Sequence, residues 1–323
     1  MERLFESVQR WTERYLTRRK RKKAYAKAKQ QAKNTLVDWI EAFLWAVVVV
    51  LLINQYLAQA YVIPSGSMKN TLQLQDRIFV NKLIYGPELV PGALKISGFK
   101  SPERNEVVIF ENPTYISKGP LFDTLQRVIY MLTFSMVNID TDEKGEPKPQ
   151  FLIKRAVGFG GDRLRFDKGE LYMRPPGFSE WIHEEEFRRR AGYPDPARRT
   201  IEPEKYRAFK ASAYADAYRS QGVPVPQYIS ARSEDLRGSV DMFAWMKYRA
   251  AALYSINPHE RRFGRSWRKY ETGWYIPSDW IFPLGDNRDN SRDARYFGPV
   301  SLENVLGRAM FKYWPPGRIG PIQ

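Results

Sequence analysis

Residues 151–166, FLIKRAVGFGGDRLRF, decide the fold. Phe151–Val157 and Asp162–Phe166 are short runs of β-formers, and the glycines and aspartate between them supply a turn, so the segment predicts two strands. Alternation along the first puts Leu152, Lys154 and Ala156 on one face and Ile153, Arg155 and Val157 on the other. A lysine inside an apolar strand is unusual, because an ammonium is expensive to bury unless it is neutralised. Desolvation lowers its pKa and makes it a competent base. The alternative is a lysine whose stem follows the strand while its amine reaches solvent.

Outward from this segment, Arg77–Leu83, Glu106–Phe110, Trp280–Leu284 and Leu306–Tyr313 also read as strands. Two insertions interrupt them. Within Gly119–Val137, the residues Leu121, Leu125, Val128, Ile129, Leu132 and Met136 recur at helical spacing, which predicts a helix packed on the core or resting on a membrane surface. Asp140–Gln150 is a polar loop. The longer insertion, about Glu170–Gly273, mixes charged helical stretches with Trp181, Trp245 and Trp267 and predicts a second subdomain or lid.

The chain has 323 residues, no cysteine and two histidines, His183 and His259. The absence of cysteine excludes disulfides and cysteine-ligated metal sites. So few histidines leave little room for a histidine-ligated metal or a Ser–His–Asp triad. The formal charge of +16 raises the question of nucleic acid, but residues 1–34 hold twelve Lys and Arg against three Glu, leaving only +7 for the rest. The apolar run Ala42–Ile53 follows directly. A basic block abutting an apolar helix is the cytoplasmic flank of the positive-inside rule. The 22 residues Ala42–Ile63 would span roughly 33 Å as a helix, which predicts an uncleaved anchor over 35–63 with its amino terminus inside. A signal peptide cleaved after Ala58-Gln59-Ala60 is the rival reading. Leu4, Val8, Trp11 and Tyr15 recur at helical spacing within the flank, fitting either a helix on the inner leaflet or a solvated basic arm.

Two further segments carry chemistry. Pro64-Ser65-Gly66-Ser67-Met68, just past the anchor, is a turn that can expose a serine, and Gly66 allows a substrate backbone to come close. Gly285-Asp286-Asn287-Arg288-Asp289-Asn290-Ser291-Arg292-Asp293, then Arg295-Tyr296-Phe297-Gly298, packs turn formers, acids and arginines so densely after a strand that it predicts a structured loop.

PSGSM after a membrane anchor, then IKRAVG with a following Gly-Asp, then GDNRDNSRD and RYFG, in that order, resembles bacterial type I signal peptidase. The resemblance implies a mainly β, signal-peptidase-like catalytic domain with an inserted α/β subdomain, after an N-terminal transmembrane helix. The expected parts are a basic cytoplasmic flank at 1–34, an anchor at 35–63, a catalytic domain at 64–169 and 274–323, and an inserted subdomain at 170–273. The implied reaction is removal of signal peptides from exported preproteins after Ala-x-Ala-type sites. In it Ser67 is the nucleophile and Lys154 the base. Ser65 joins the Ser67 N–H in the oxyanion hole, and Ser291 orients the lysine. Arg155 with Asp286, and Asp293 with Arg295, are expected as supporting ion pairs. Ile63, Pro64, Met68, Leu72, Leu152 and Ile153 are expected to line substrate pockets.

No cofactor and no metal is expected. The expected partners are signal peptides of secretory preproteins, the lipid bilayer and the protein-export machinery, not nucleic acid. The chain departs from the family's pattern where Asn70 replaces the usual proline, where Arg104-Asn105-Glu106 stands for Arg-Gly-Asp, and at Ala294 where serine is common. The competing readings are a Ser–Lys autoprotease sharing the β fold, a catalytically silent anchored binding protein, and an RNA- or ribosome-binding role for the flank.

Overall fold

A computed structural model of the chain describes residues 2–31, 35–90, 94–133, 136–142, 145, 148–233 and 241–323. They form two compact units, Met1–Leu51 and Leu52–Gln323. The first unit holds α1 (Glu2–Gln31) and most of α2 (Thr35–Leu52). Trp11 and Tyr15 are exposed on α1 and stack with ring centroids 5.8 Å apart. The side chains of Leu4 and Val8 lie outside the described ones.

Helix α2 runs on through a π-helical turn at Ile53–Leu57, so that Thr35–Leu57 is a 23-residue stretch long and apolar enough to cross a membrane. No side chain of α2 is buried, although Trp39, Phe43 and Trp45 lie along it. An apolar helix exposed along its length needs a cover other than water. The expectation that the anchor reaches Ile63 is corrected here. Ala58–Val62 is a strand, β1, whose backbone pairs antiparallel with β2 (Arg77–Asn81) and whose Ala60 and Tyr61 are buried in the core. The ladder satisfies the same backbone groups that a helix would, and gives Tyr61 a core position as well. It also takes the bond after Ala60 out of an extended, accessible loop.

The strands after β2 are, in order, β3 (Glu88–Val90), β4 (Leu94–Lys95), β5 (Val107–Glu111), β6 (Phe151–Phe159), β7 (Arg163–Asp167), β8 (Glu170–Arg174), β9 (Ile182–His183), β10 (Trp274–Tyr275), β11 (Trp280–Leu284), β12 (Val300–Ser301), β13 (Val305–Trp314) and β14 (Gly320–Pro321). The main sheet has the order β1-β2-β13-β5-β6-β11-β12, with β14 on β13, and every pairing is antiparallel. One face of β5 and β6 puts Ile109 and Ile153 against Ile63, Met68, Leu72 and Ile78; the other puts Val108, Phe110 and Ala156 against Ile281 and Val305. The register of β11 on β6 shifts at Pro283. Proline has no N–H to give the ladder, and the irregularity releases the chain into the loop at Gly285.

A second sheet, β10-β7-β8-β9, joins the insertion to the first. Asp167 pairs with Glu170 across a tight turn, so the boundary expected at 169/170 falls inside a hairpin. Beyond it come α4 (Glu184–Ala191), α5 (Lys205–Ser220), α6 (Gln227–Ser230), α7 (Met242–Ile256) and α8 (Arg261–Glu271). Alanines 211, 213, 215 and 217 on α5 are buried and let α7 approach closely. The shorter insertion is α3 (Pro120–Leu132), which starts with proline in its first turn.

Candidate active site

Ser67 sits in a single 3₁₀ turn, Gly66–Met68, entered through an extended Ser65. The N–H groups of a first helical turn have no partner within it, so the turn presents donors beside the hydroxyl. The Ser65 hydroxyl lies 3.4 Å from Ser67 Oγ. Met68 anchors the turn in the core, and the Leu72 N–H closes on Met68 O at 2.8 Å.

Lys154 comes to Ser67 from the middle of β6. Its cross-strand partner is Val108, and its Nζ lies 2.7 Å from Ser67 Oγ and 2.9 Å from Ile153 O. The side chain is buried. Burial lowers its pKa to about 8, against the pull of the Asp293 and Asp286 carboxylates, which favour the charged form. It is an amine held by an apolar strand, and among the described residues no carboxylate is in direct contact to fix its proton.

Arg155, the next residue, points to the opposite side and is fully buried. Its Nε and Nη2 each donate to Asp286 at 2.8 Å, and Nη1 donates to Asn105 O at 2.7 Å. Thr71, which the sequence did not single out, donates to Asp286 Oδ2 at 2.6 Å and accepts from Arg155 Nη2 at 3.0 Å. Asp293 accepts from the Gly285 N–H at 3.0 Å and from Arg295 Nε at 2.9 Å. Burial would raise the Asp293 pKa, but Arg295 and the Gly285 N–H hold it below the usual carboxylate range. Both expected ion pairs are thus formed.

Asn287 is the second residue that sequence reasoning missed. Its N–H donates to Ser67 O at 3.0 Å and its side-chain amide to Gly66 O at 3.0 Å. The loop therefore grips the serine turn by two consecutive carbonyls. Ser291 Oγ is buried without a hydrogen-bond partner of good geometry, yet near enough to Asp293 to help lower its pKa. The expected bond from Ser291 to the Lys154 amine is not formed.

Gly285 also packs against the serine turn. A Cβ there would lie 2.6 Å from Ser67 O and closer still to Ser291 Oγ. Gly285→Ala is expected to push the serine turn out of register and lower kcat by about 10²-fold, while Tm changes by only a few degrees. Steady-state kinetics with a thermal melt check both.

The insertion touches this loop directly. Arg288 Nη2 donates to Glu184 Oε1 of α4 at 2.6 Å, Arg288 Nη1 bonds to Glu184 Oε2, and Arg188 Nε donates to Glu184 Oε1 at 2.9 Å. Asp289 accepts from Arg199 Nη1 at 3.0 Å and from the Ile201 N–H at 3.0 Å. The Arg198 N–H donates to Asp286 O at 2.6 Å. The insertion, expected as a second subdomain or lid, thus holds the loop through ion pairs and backbone hydrogen bonds.

Two of the three departures in sequence have a local counterpart in the structure. Asn70 has φ +114° and its side chain donates to Pro196 O at 3.0 Å. A proline, fixed near −65°, could not take that conformation. Asn105 has φ +76° and accepts from Arg188 Nη1 at 2.5 Å, so it occupies a glycine-like position while adding a side-chain acceptor.

Two cavities meet at the hydroxyl and the amine and share Ser65, Ser67, Pro149, Leu152 and Lys154. The first, about 780 Å³, is walled by Tyr61, Ile63, Pro64, Met68, Phe151 and Ile153. Leu72 lines neither cavity; it follows the serine turn into the core and is fully buried, which corrects its expected role. Among the described residues no strand pairs with the outer edge of β1, and β11 pairs with β6 only from Arg155 onward. The first cavity thus has an open strand edge on each side. Among the described residues no group of acidic or histidine side chains is placed to hold a metal ion.

A serine hydroxyl against a buried amine, beside open strand edges that a peptide could extend, is the layout of a serine peptidase. A family model for signal peptidase, peptidase S26, matches residues 36–314, and the chain belongs to that family. Among its relatives, signal peptidase I of Aquifex aeolicus is 25% identical over 281 residues, covering 85% of this chain and 82% of that protein. Signal peptidase I of Pseudomonas aeruginosa is 24% identical over 300 residues, covering 89% and 76%. Thylakoidal processing peptidase 1 of Arabidopsis thaliana chloroplasts is 23% identical over 274 residues, covering 85% of this chain and 47% of its own.

Proposed function

We propose that the protein removes N-terminal signal peptides from exported preproteins after Ala-x-Ala-type sites, through a dyad of Ser67 and Lys154. The observation that carries the reading is the 2.7 Å contact between Lys154 Nζ and Ser67 Oγ at the junction of the two cavities. A serine hydroxyl is a weak nucleophile until a neighbour accepts its proton, and a neutral Lys154 is the group within reach. Ser67 attacks the scissile carbonyl while its proton passes to Lys154. The oxyanion draws on the Ser67 N–H and the Ser65 hydroxyl. Lys154 then gives the proton to the departing amine, the peptide C–N bond breaks, and an acyl-Ser67 ester remains. Water attacks that ester with Lys154 again as base, which restores the serine and releases the carboxylate.

The scissile segment extends along the free edges of β1 and of Phe151–Ile153, in the manner of an added strand. Alternate side chains face Ile63, Met68, Leu152 and Ile153, which leave room for small residues. Residues 35–57 cross the cytoplasmic membrane with the basic flank inside, and the catalytic region lies on the extracytoplasmic side. This topology brings the lipid bilayer and the protein-export machinery in as partners.

The test is mass spectrometry of a preprotein with an Ala-x-Ala site after incubation with the detergent-solubilised protein or its Ser67→Ala variant. One cut after the second alanine, absent with the variant, is expected. No cut by either folded protein would leave an anchored binding protein as the better reading.

A further inference from the structure

Helix α3 turns its polar side inward. At about 100° per residue, Asp123, Gln126, Arg127 and Tyr130 fall on one side of it and Leu121, Leu125, Val128, Ile129 and Leu132 on the other. The first side faces the protein. Asp123 accepts from Tyr115 Oη at 3.1 Å and from Ser117 Oγ at 2.5 Å, and Arg127 Nη2 donates to Glu111 Oε1 at 2.9 Å. Gln126 is buried and donates to Asn138 Oδ1 at 2.7 Å. The apolar side faces out: Leu121 is 88% exposed and Leu125 56%, and Leu132 is exposed as well. Ile116 before the helix and Met136 and Val137 after it are also exposed. Both charged side chains of α3 are on the inner side, so the outer strip is uncharged along the whole helix.

What α3 packs on fixes where the strip lies. Arg127 also pairs with Glu88 at 3.5 Å, and the carbonyl of Glu88 accepts from Gln55 Nε2 at 2.8 Å. Gln55 stands in the π-helical turn that ends the apolar stretch, between the exposed side chains of Ile53 and Leu57. Tyr130 packs on Tyr61 of β1, with ring centroids 6.1 Å apart. One residue, Glu88, thus joins α3 to the end of the helix read as crossing the membrane. On the reading that Thr35–Leu57 crosses the bilayer, we infer that α3 lies in the plane of the outer leaflet with its apolar strip seated in lipid. Helices in that position sink their apolar side about 5–10 Å into the boundary between headgroups and acyl chains. The usual partner of the polar side is water; here the protein takes that place. A second copy of the chain is a poorer cover, because a strip one helix wide falls short of the roughly 800 Å² that each partner of a stable complex covers.

The chain has no cysteine, so each of Leu121→Cys, Leu125→Cys, Trp45→Cys and Gln221→Cys gives full-length protein with a single site for a fluorophore. All four positions are exposed, which keeps the fold intact. Trp45 reports on the apolar helix and Gln221 on the inserted subdomain. The labelled proteins are reconstituted in vesicles of phosphatidylethanolamine and phosphatidylglycerol, with or without phosphatidylcholine that carries a nitroxide on its acyl chain. Quenching by the nitroxide lipid is expected at Trp45, Leu121 and Leu125, at least about twofold stronger than at Gln221. Quenching at Trp45 without quenching at either leucine overturns the inference and leaves the anchor standing. No quenching at Trp45 overturns the anchor reading, and the inference with it. Equal quenching at Gln221 would mean that the whole surface adsorbs to lipid, and overturns the seat given to α3. A leucine label that neither aqueous iodide nor the nitroxide lipid reaches would mean a protein cover, a second copy or a bound substrate, and overturns it too.

Discussion

Lys154→Met should abolish peptidase activity, lowering kcat/KM by about 10⁴- to 10⁶-fold, while Tm at pH 7 stays at least as high as that of the parent. The loss follows from the dyad: with no acceptor 2.7 Å from its hydroxyl, Ser67 keeps its proton. The stability follows from burial. Desolvation lowers the Lys154 pKa to about 8, below that of the unfolded chain. Below pH 8 the folded protein holds a buried ammonium, which methionine does not. Between about 8 and 10.4 the unfolded state binds a proton that the folded state does not, so the parent gains stability as pH rises. Any advantage of the variant should therefore be greatest at or below neutrality and fade through that window. The same pKa sets the activity profile: the base works when neutral, so kcat/KM of the parent should climb through about pH 8 and level off above it. A flat profile from pH 6 to 9, or a variant that keeps more than a hundredth of the activity, would refute the role given to Lys154. A variant that melts well below the parent would mark the lysine as a structural group instead.

Lys154 was legible because a cation breaks the pattern of an apolar strand, and the strands around it were legible from alternation and turn residues. The loop at 285–293 sets acids among arginines too densely for a solvated turn, which announced a structured loop, while the particular pairs of Arg155 with Asp286 and Asp293 with Arg295 were expected from the family resemblance. Strand β1 was hidden by composition. Ala58–Val62 continues the apolar run, and what separates it from the helix is a pairing with Arg77–Asn81 that no local signal announces. Asn287 and Thr71 were missed because their work lies in hydrogen bonds across long sequence separations, to Gly66 and Ser67 and to Asp286. Helix α4 carries no local sign of its burial. Its EEEFRRR places acids in the first turn and arginines in the last, the arrangement that a solvated helix uses to complement its dipole, whereas Glu184 and Arg188 are buried.

That burial gives the second large effect. Glu184 lies between Arg188 and Arg288, all three buried. Burial alone would raise its pKa, but the two guanidinium groups overcome it and hold the carboxyl at about 2. Glu184→Ala would leave two buried cations facing each other without their anion, a change that costs about 3–5 kcal/mol and lowers Tm on the order of 10 °C. Because the folded pKa is depressed, the stability that Glu184 supplies is present above about pH 4.3 and disappears as pH falls toward 2. The gap between parent and variant in thermal melts should narrow over that acid range. Activity should fall with stability even though α4 touches no reacting atom. Arg288 also donates to Gly285 O at 3.1 Å, and Gly285 and Asn287 are the residues of the loop that pack on the serine turn. A freed Arg288 therefore loosens the part of the loop that positions Ser67, which places the loss in kcat more than in KM. Unchanged melting and unchanged kcat in Glu184→Ala would mean that the insertion is dispensable to the site. Loss of both, with partial recovery in Glu184→Gln, which keeps an acceptor for one guanidinium, would make the insertion the brace on which the active-site loop depends.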